Sequence, residues 1–144
     1  MSLRERAYLA YLGRSKHPIL VGPWRSEVGF ETLYWLPWLS RFRRDYQIPK
    51  ERLITISRGG AGAWYDMGQS VDLYDYVPID RLRKAMLRDA NTHKSVKQYR
   101  VTDWERKLLP LIAEDLGLRR YHVLHPKWMY QGFRGWWDTS ESLE

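Results

Sequence analysis

The polar segment between Gly22 and Gly29 is the part of this 144-residue chain whose residue types could do chemistry. An apolar run, PILV, precedes it, and an aromatic segment with helical spacing, FETLYWLPWL, follows it. A buried strand that leads through a loop into a helix places backbone N–H groups and a helix N-terminus beside a crevice. We therefore predict that the polar residues of this loop contact a ligand: Trp24, Arg25, Ser26 and Glu27.

Two later segments have the same form, an apolar run followed by polar or glycine-rich residues. RGGAG, which begins at Arg58, follows the run LITIS, and adjacent glycines let a backbone approach a ligand closely. It matches neither GxxxxGK[ST] nor GxGxxG, and a tight turn without a ligand is the alternative interpretation. HPKWMY follows the run YHVL. These segments add the following predicted contacts: Arg58, Gly59, Gly60, Trp64, His125, Lys127 and Trp128.

The aromatic composition also bears on function. Eight Trp and ten Tyr against three Phe means that most rings carry a polar group, which suits half-buried positions. Sugar faces and nucleobases stack on such rings, so Trp24, Trp64 and Trp128, in predicted loops, are open to a ligand interpretation. Core packing is the alternative for each of them.

The elements that position these residues alternate along the chain. Helical spacing predicts helices over 3–13, over 29–46 with a bend or a restart at Pro37, over 80–91, and a last one that a capping box opens at Thr102. Apolar or β-branched runs predict strands over 19–22, 53–57, 71–77 and 121–124. This alternation predicts an α/β fold, a three-layer Rossmann-like domain whose mostly parallel sheet has about four or more strands. The carboxyl ends of parallel strands share one edge, so we expect Arg58, Asp66 and His125 to approach Arg25 and Glu27 there.

Composition limits the classes of protein. Residues 1–144 suit a single domain, and 44% hydrophobic with 28% charged residues is a globular balance. The chain has no cysteine and its histidines are poorly spaced, so we predict no disulfide, no metal site and no cofactor. No apolar run is long enough for a membrane span, and the charged N-terminus is unlike a signal peptide, which favours a cytoplasmic protein. The net charge of +7 is dispersed, as on solvated helix faces.

Residues 18–137 resemble a known class of enzymes. The strand before GPWRSEVGFETLYWLPWL, the later glycine-rich loop and the strand before HPKWMY resemble the N-terminal, acceptor-side domain of GT-B type glycosyltransferases. They also resemble uncharacterised bacterial proteins that accompany polysaccharide synthesis. The resemblance implies a sugar or nucleotide-sugar ligand. It also implies a C-terminal domain that holds most of the donor, so that this chain is either a fragment of a longer protein or a half that needs a partner.

The resemblance further implies roles for single residues. Glycosyl transfer needs a base that deprotonates the acceptor hydroxyl, and cations that offset developing diphosphate charge. Glu27, Asp66 and His125 are the predicted bases. Arg25, Arg58 and Lys127 suit the second role, since each follows a predicted strand end.

Two other classes of function stay open. A nucleic-acid binding module would use the same cations and rings, but the basic residues are dispersed and no RNP, KH or zinc-finger pattern is present. A non-catalytic carbohydrate-binding or assembly domain would keep the stacking rings and need no base. Binding that collapses at high salt would favour nucleic acid.

Overall fold

The structure is a computed structural model that describes residues 2–93 and 97–140, and of His93 and residues 134–140 it describes the backbone. Five helices and four strands follow one another through these ranges. The elements are α1 (Leu3–Arg14), β1 (Ile19–Val21), α2 (28–45), β2 (Leu53–Ser57), β3 (Gln69–Asp72), α3 (Ile79–His93), α4 (Asp103–Asp115), β4 (His122–Leu124) and α5 (Lys127–Ser140). No helix within these ranges has both the length and the apolarity to cross a bilayer.

The four strands form one sheet in the order β3-β2-β1-β4, and all of its neighbours are parallel. Leu20 in β1 lies opposite Ile54 in β2 and Val123 in β4. Every residue of β1 and β2 is buried, as is typical of parallel strands covered on both faces. The predicted α/β class, with a Rossmann-like three-layer arrangement, is confirmed.

Each face of the sheet has its own core, because side chains alternate along a strand. Ile19 and Val21 pack against α1, α2 and α5 on one face, where the aromatic rings of the chain are concentrated. Leu20 and Ile54 pack against α3 and α4 on the other. The two cores hold the strand ends in fixed positions, and these ends carry the predicted ligand contacts.

Helix α2 changes its hydrogen-bonding pattern before Pro37. Its first turn, Val28–Phe30, passes into a π-helical Glu31–Trp35 and then into Leu36–Asp45. Proline has no N–H to donate to the preceding turn, and the wider π-helical turn accommodates that missing bond. The predicted interruption of this helix is present.

The predicted strand over 71–77 is wrong in its bounds. The strand is Gln69–Asp72, and Leu73–Asp75 forms a 3₁₀ helix. The cause is the Asp72 side chain, which accepts the N–H groups of Tyr74 and Gly60, both at 2.9 Å. This carboxylate caps the turn and ends the strand.

The sheet has a topological switch point between β1 and β4. The chain leaves β1 toward β2 and β3 and then returns to the opposite side of β1 as β4. In open parallel sheets, ligands bind outside the carboxyl ends of the strands at such a point. Helix α3 passes over this edge, because Arg58 after β2 contacts Met86 and Arg25 after β1 contacts Asp89.

Candidate functional site

The loop after β1 is tied to both neighbouring strands. Gly22 donates its N–H to Leu124 O at 3.0 Å, and Trp24 donates its N–H to Ile56 O at 2.8 Å. Gly22 has φ +126°, and a Cβ there would lie 2.5 Å from Ile56 O, so only glycine fits. The Gly22–Pro23 peptide bond is cis. The sequence therefore directs the chain from a buried strand straight into the switch point.

A buried ionic cluster fills the switch point. Arg25 Nε donates to Glu105 Oε1 at 2.9 Å, and its Nη2 lies 3.3 Å from Asp89 Oδ2. The Gln98 side chain accepts the Arg25 N–H at 3.0 Å and donates to Pro23 O at 2.7 Å. Arg25, Gln98 and Glu105 are all at most 4% exposed. We call Arg25, Gln98, Glu105 and His125 the switch-point cluster.

Glu105 is the main acceptor of this cluster. Besides Arg25, the Thr102 backbone N–H donates to it at 2.7 Å, as the predicted capping box requires, and the Thr102 hydroxyl donates at 3.0 Å. Burial opposes its ionisation, but the hydrogen bond from His125, the Arg25 charge and the Thr102 N–H together lower the pKa of Glu105 to about 2. Glu105 is therefore a buried carboxylate.

His125 is held in one tautomer. Lys127 donates its backbone N–H to Nδ1 at 3.0 Å, so Nε2 carries the proton and donates to Glu105 at 3.3 Å. Burial lowers the pKa of His125 below its ordinary value, so the ring is neutral at pH 7. The predicted base is thus close to Arg25, as expected, but it is 1% exposed and already has a partner on each nitrogen.

The loop residues predicted to face a ligand are divided between core and surface. Trp24 is fully buried, and Trp35 and Tyr130 stack on it at centroid distances of 5.9 and 6.2 Å. The prediction that its ring is accessible to a ligand is therefore wrong. Ser26 is buried as well. Glu27, the next residue, is exposed. Only this last side chain of the four has the accessibility that contact with a ligand requires.

The loop after β2 meets the loop after β1, as predicted. Arg58 Nη2 donates to Ser26 O at 2.7 Å, which brings it beside Glu27. Gly59 and Gly60 are exposed and have φ of +62° and +79°. The Gly60 N–H is bonded to Asp72, so this turn offers a ligand fewer free donors than its sequence suggests.

Two predicted contacts lie at other places in the fold. The Asp66 carboxylate is 3.6 Å from Lys50 Nζ, and its carbonyl accepts from Arg43 at 3.3 Å. Lys50 immediately precedes β2, so Asp66 lies toward the amino edge, and the predicted meeting with Arg25 and Glu27 does not occur. Trp64, two residues earlier, is 52% exposed.

The predicted contacts that follow β4 lie at the start of α5. Trp128 is half-buried and stacks on Tyr8 at a centroid distance of 4.6 Å. Lys127 Nζ lies over the same indole at 5.0 Å. Trp128 therefore packs α5 against α1, and one face of its ring is taken up by the protein itself.

A second buried carboxylate lies at the same edge of the sheet. Glu31 accepts hydrogen bonds from Ser57 Oγ at 2.5 Å and Tyr65 OH at 2.6 Å, and all three groups are buried. Within the described ranges no cationic side chain forms an ion pair with Glu31. Burial and the Glu31 carboxylate raise the pKa of Tyr65 well above its ordinary value. These hydroxyls therefore hold Glu31 as hydrogen-bond donors.

A basic pocket lies directly outside the switch-point cluster, between α3 and α4. We call it the α3–α4 pocket; its volume is about 540 Å³. Its lining includes Arg88, Asp89, Arg100, Thr102, Trp104 and Lys107. Two of these residues touch the cluster, since Asp89 pairs with Arg25 and Thr102 donates to Glu105.

The side chains that line the α3–α4 pocket carry a net positive charge. Arg106 pairs with Asp103 at 3.1 Å. Arg88, Arg100 and Lys107 form no ion pair with any residue that the structure describes. Sequence reasoning missed this pocket because its cations come from two helices and a connection, and each one alone looks like a solvated helix face.

Neither a metal-binding group among the described residues nor a similar known protein points to the ligand of this site. Across residues 2–93 and 97–140, no group of three or more His, Asp or Glu side chains is placed to hold a metal ion. No protein-family model, curated protein or solved structure matches this chain. The resemblance to the acceptor-side domain of glycosyltransferases therefore stays a prediction.

Proposed function

We propose that this chain binds a phosphate-bearing sugar in the α3–α4 pocket, as the acceptor-side half of a sugar-transferring protein. The observation that carries the proposal is the presence of Arg88, Arg100 and Lys107, without ion-pair partners among the described residues, around one concave site. Unpaired cations in a pocket favour an anionic ligand, since charge-assisted bonds to phosphate are stronger than neutral ones. The pocket also lies at the switch point, where sheets of this type bind ligands.

The size and the lining of the pocket support a small ligand. A volume of about 540 Å³ is within the usual range of small-molecule sites. The Arg25 guanidinium lies over the half-buried Trp104 ring at 5.8 Å, so only the other face of this ring can meet a sugar; the exposed Asp103 offers a carboxylate for hydroxyl groups. The extended backbone of a nucleic acid would need cations along a groove, which disfavours that alternative.

Binding to this pocket is tested by calorimetry with three probes: glucose 1-phosphate, glucose 6-phosphate and unphosphorylated glucose. We expect the two phosphorylated compounds to bind and glucose to bind much more weakly. Arg100→Glu and Lys107→Glu should each weaken the phosphorylated probes by about tenfold or more, because each removes one charge-assisted contact.

The matched control is Arg120→Glu, which makes the same charge change at an exposed position outside the pocket. It should leave the affinity within about twofold of the original, as distant surface charges are screened. Equal loss in Arg120→Glu and Arg100→Glu would show that binding follows net charge and would refute the pocket. Tight, steeply salt-dependent binding of a single-stranded oligonucleotide, with no binding of the sugar phosphates, would favour the nucleic-acid alternative instead.

The base for the transfer step is a different residue from the cations that bind the phosphate. Of the three predicted bases, His125 is buried and Asp66 lies toward the amino edge, whereas Glu27 is exposed beside Arg58. In the full protein with its partner domain, Glu27→Gln should lower turnover by about 10²-fold or more while sugar-phosphate affinity stays unchanged. Unchanged turnover would remove Glu27 as the base and would favour a non-catalytic carbohydrate-binding role.

A further inference from the structure

A second groove lies on the opposite face of the sheet from the α3–α4 pocket. It is formed by the carboxyl-terminal half of α2 and the segment that leads into β3, and its volume is about 510 Å³. Its polar and aromatic lining consists of Ser40, Arg43, Arg44, Gln47, Trp64 and Asp66. We call it the Trp64 groove. It contains the two predicted ligand contacts that the carboxyl edge does not use, Trp64 and Asp66.

The exposed indole of Trp64 sits on a firmly held turn. Tyr65, the next residue, is buried, and its hydroxyl donates to Glu31 at 2.6 Å. Gly62 packs so closely on β3 that a Cβ would lie 1.8 Å from Ser70 Oγ. Nevertheless Trp64 itself remains 52% exposed. A large apolar ring kept half in water on a rigid support is preorganised for a planar partner.

The polar groups around this ring include both acceptors and donors. The Asp66 carboxylate is 89% exposed, and its nearest cation is Lys50 Nζ at 3.6 Å. Arg43 donates to the Asp66 carbonyl at 3.3 Å, which leaves further N–H groups of its guanidinium for other acceptors. Gln47 supplies an amide at the same groove. Sugar hydroxyls both donate and accept hydrogen bonds, so they can pair with both the acceptors and the donors of this groove.

We propose that the Trp64 groove binds a neutral saccharide, with one pyranose face stacked on Trp64 and hydroxyls bonded to Asp66 and Arg43. A single-stranded nucleic acid fits less well, because the groove offers one exposed ring where such ligands use several. This site goes beyond the proposed function, since it shares no residue with the α3–α4 pocket.

The test is a glycan array of neutral pyranose oligosaccharides probed with labelled protein, followed by calorimetry on each glycan that binds. We expect at least one glycan to bind. Trp64→Ala should weaken it about tenfold, the order expected for one stacked ring, and Asp66→Asn should weaken it to a smaller extent. Trp64→Phe, which keeps an aromatic face, should retain more affinity than Trp64→Ala.

Two controls separate glycan binding in the Trp64 groove from binding in the α3–α4 pocket and from loss of folding. Arg100→Glu should leave glycan binding unchanged, which separates the Trp64 groove from the α3–α4 pocket. Thermal unfolding of Trp64→Ala should match the original protein, because an exposed side chain is removed. The proposal is overturned if no neutral glycan binds, if folded Trp64→Ala binds as well as the original, or if a single-stranded oligonucleotide displaces the glycan.

Discussion

Replacing Glu105 by glutamine tests whether the switch-point cluster holds the carboxyl edge together. In the folded protein the Glu105 side chain accepts from Arg25, from both donors of Thr102 and from His125. A glutamine keeps one acceptor oxygen and replaces the other by an NH₂ group. In either orientation of the amide, its NH₂ group faces a buried donor that the carboxylate had accepted. Arg25 keeps Asp89 as its remaining anionic partner.

The expected loss of stability follows from the burial of these groups. Removing one partner of a buried ion pair costs about 3–5 kcal/mol; here Asp89 still pairs with Arg25, and the loss comes mainly from buried donors that are left without an acceptor. The pKa of Glu105 gives a similar magnitude: a fall from 4.5 to about 2 corresponds to roughly 3 kcal/mol of stabilisation by the ionised form. A domain is stable by about 5–15 kcal/mol in total, so Glu105→Gln should remain folded but be strongly destabilised.

Urea unfolding of the two proteins at pH 7 and pH 3 measures this effect. The folded pKa of Glu105 lies below the unfolded one, so its contribution is complete above pH 4.5 and is lost as the pH falls toward 2. We therefore expect Glu105→Gln to be about 3–5 kcal/mol less stable at pH 7. More than half of the carboxylate's contribution should be gone at pH 3. Because burial lowers the pKa of His125 and Glu105 raises it, the same comparison in a His125→Gln background separates the contribution of the carboxylate from that of the ring.

Glu114→Gln is the matched control, because Glu114 is exposed on the same helix. It should change the free energy of unfolding by less than about 0.5 kcal/mol at either pH. Our reasoning is refuted if Glu105→Gln unfolds within 1 kcal/mol of the original protein at pH 7. It is also refuted if the difference is as large at pH 3 as at pH 7.

Three further substitutions test the local packing by urea unfolding at pH 7. Gly22→Ala should cost roughly 2–4 kcal/mol, because φ is +126° and the new Cβ would meet Ile56 O at 2.5 Å; a loss below 1 kcal/mol would contradict this geometry. Tyr65→Phe removes one of the two hydroxyls that donate to Glu31 and should cost about 1–3 kcal/mol, whereas an unchanged stability would mean that Glu31 finds another donor. Tyr8→Phe loses the bond to Val123 O on the edge strand β4 and should cost about 1 kcal/mol; a gain in stability would exclude that bond as a net contribution.

The fold could be predicted because its determinants are local. The run LITIS, the interruption before Pro37 and the Thr102 capping box each act within a few residues, and each is present in the structure. The bounds of β3 could not be read in this way. They depend on the Asp72 carboxylate, which caps the following turn at the Tyr74 N–H and also binds the Gly60 N–H, 12 residues away.

The candidate site was less predictable because burial is decided by distant partners. Arg25 looks like a loop cation in the sequence, but it is covered by Gln98 and Glu105, which are 73 and 80 residues further along the chain. The aromatic core on the α2 face likewise buries Trp24. The cations of the α3–α4 pocket become a site only when the packing of α3 and α4 brings them together.

The measurement that tests the central claim most directly is amide chemical-shift mapping of the ¹⁵N-labelled protein during titration with glucose 1-phosphate. We predict saturable shifts concentrated at 85–89 and 100–107, the segments that line the α3–α4 pocket, and their loss in Arg100→Glu. No saturable shift, or shifts concentrated away from these segments, would contradict the assignment of this pocket as the binding site.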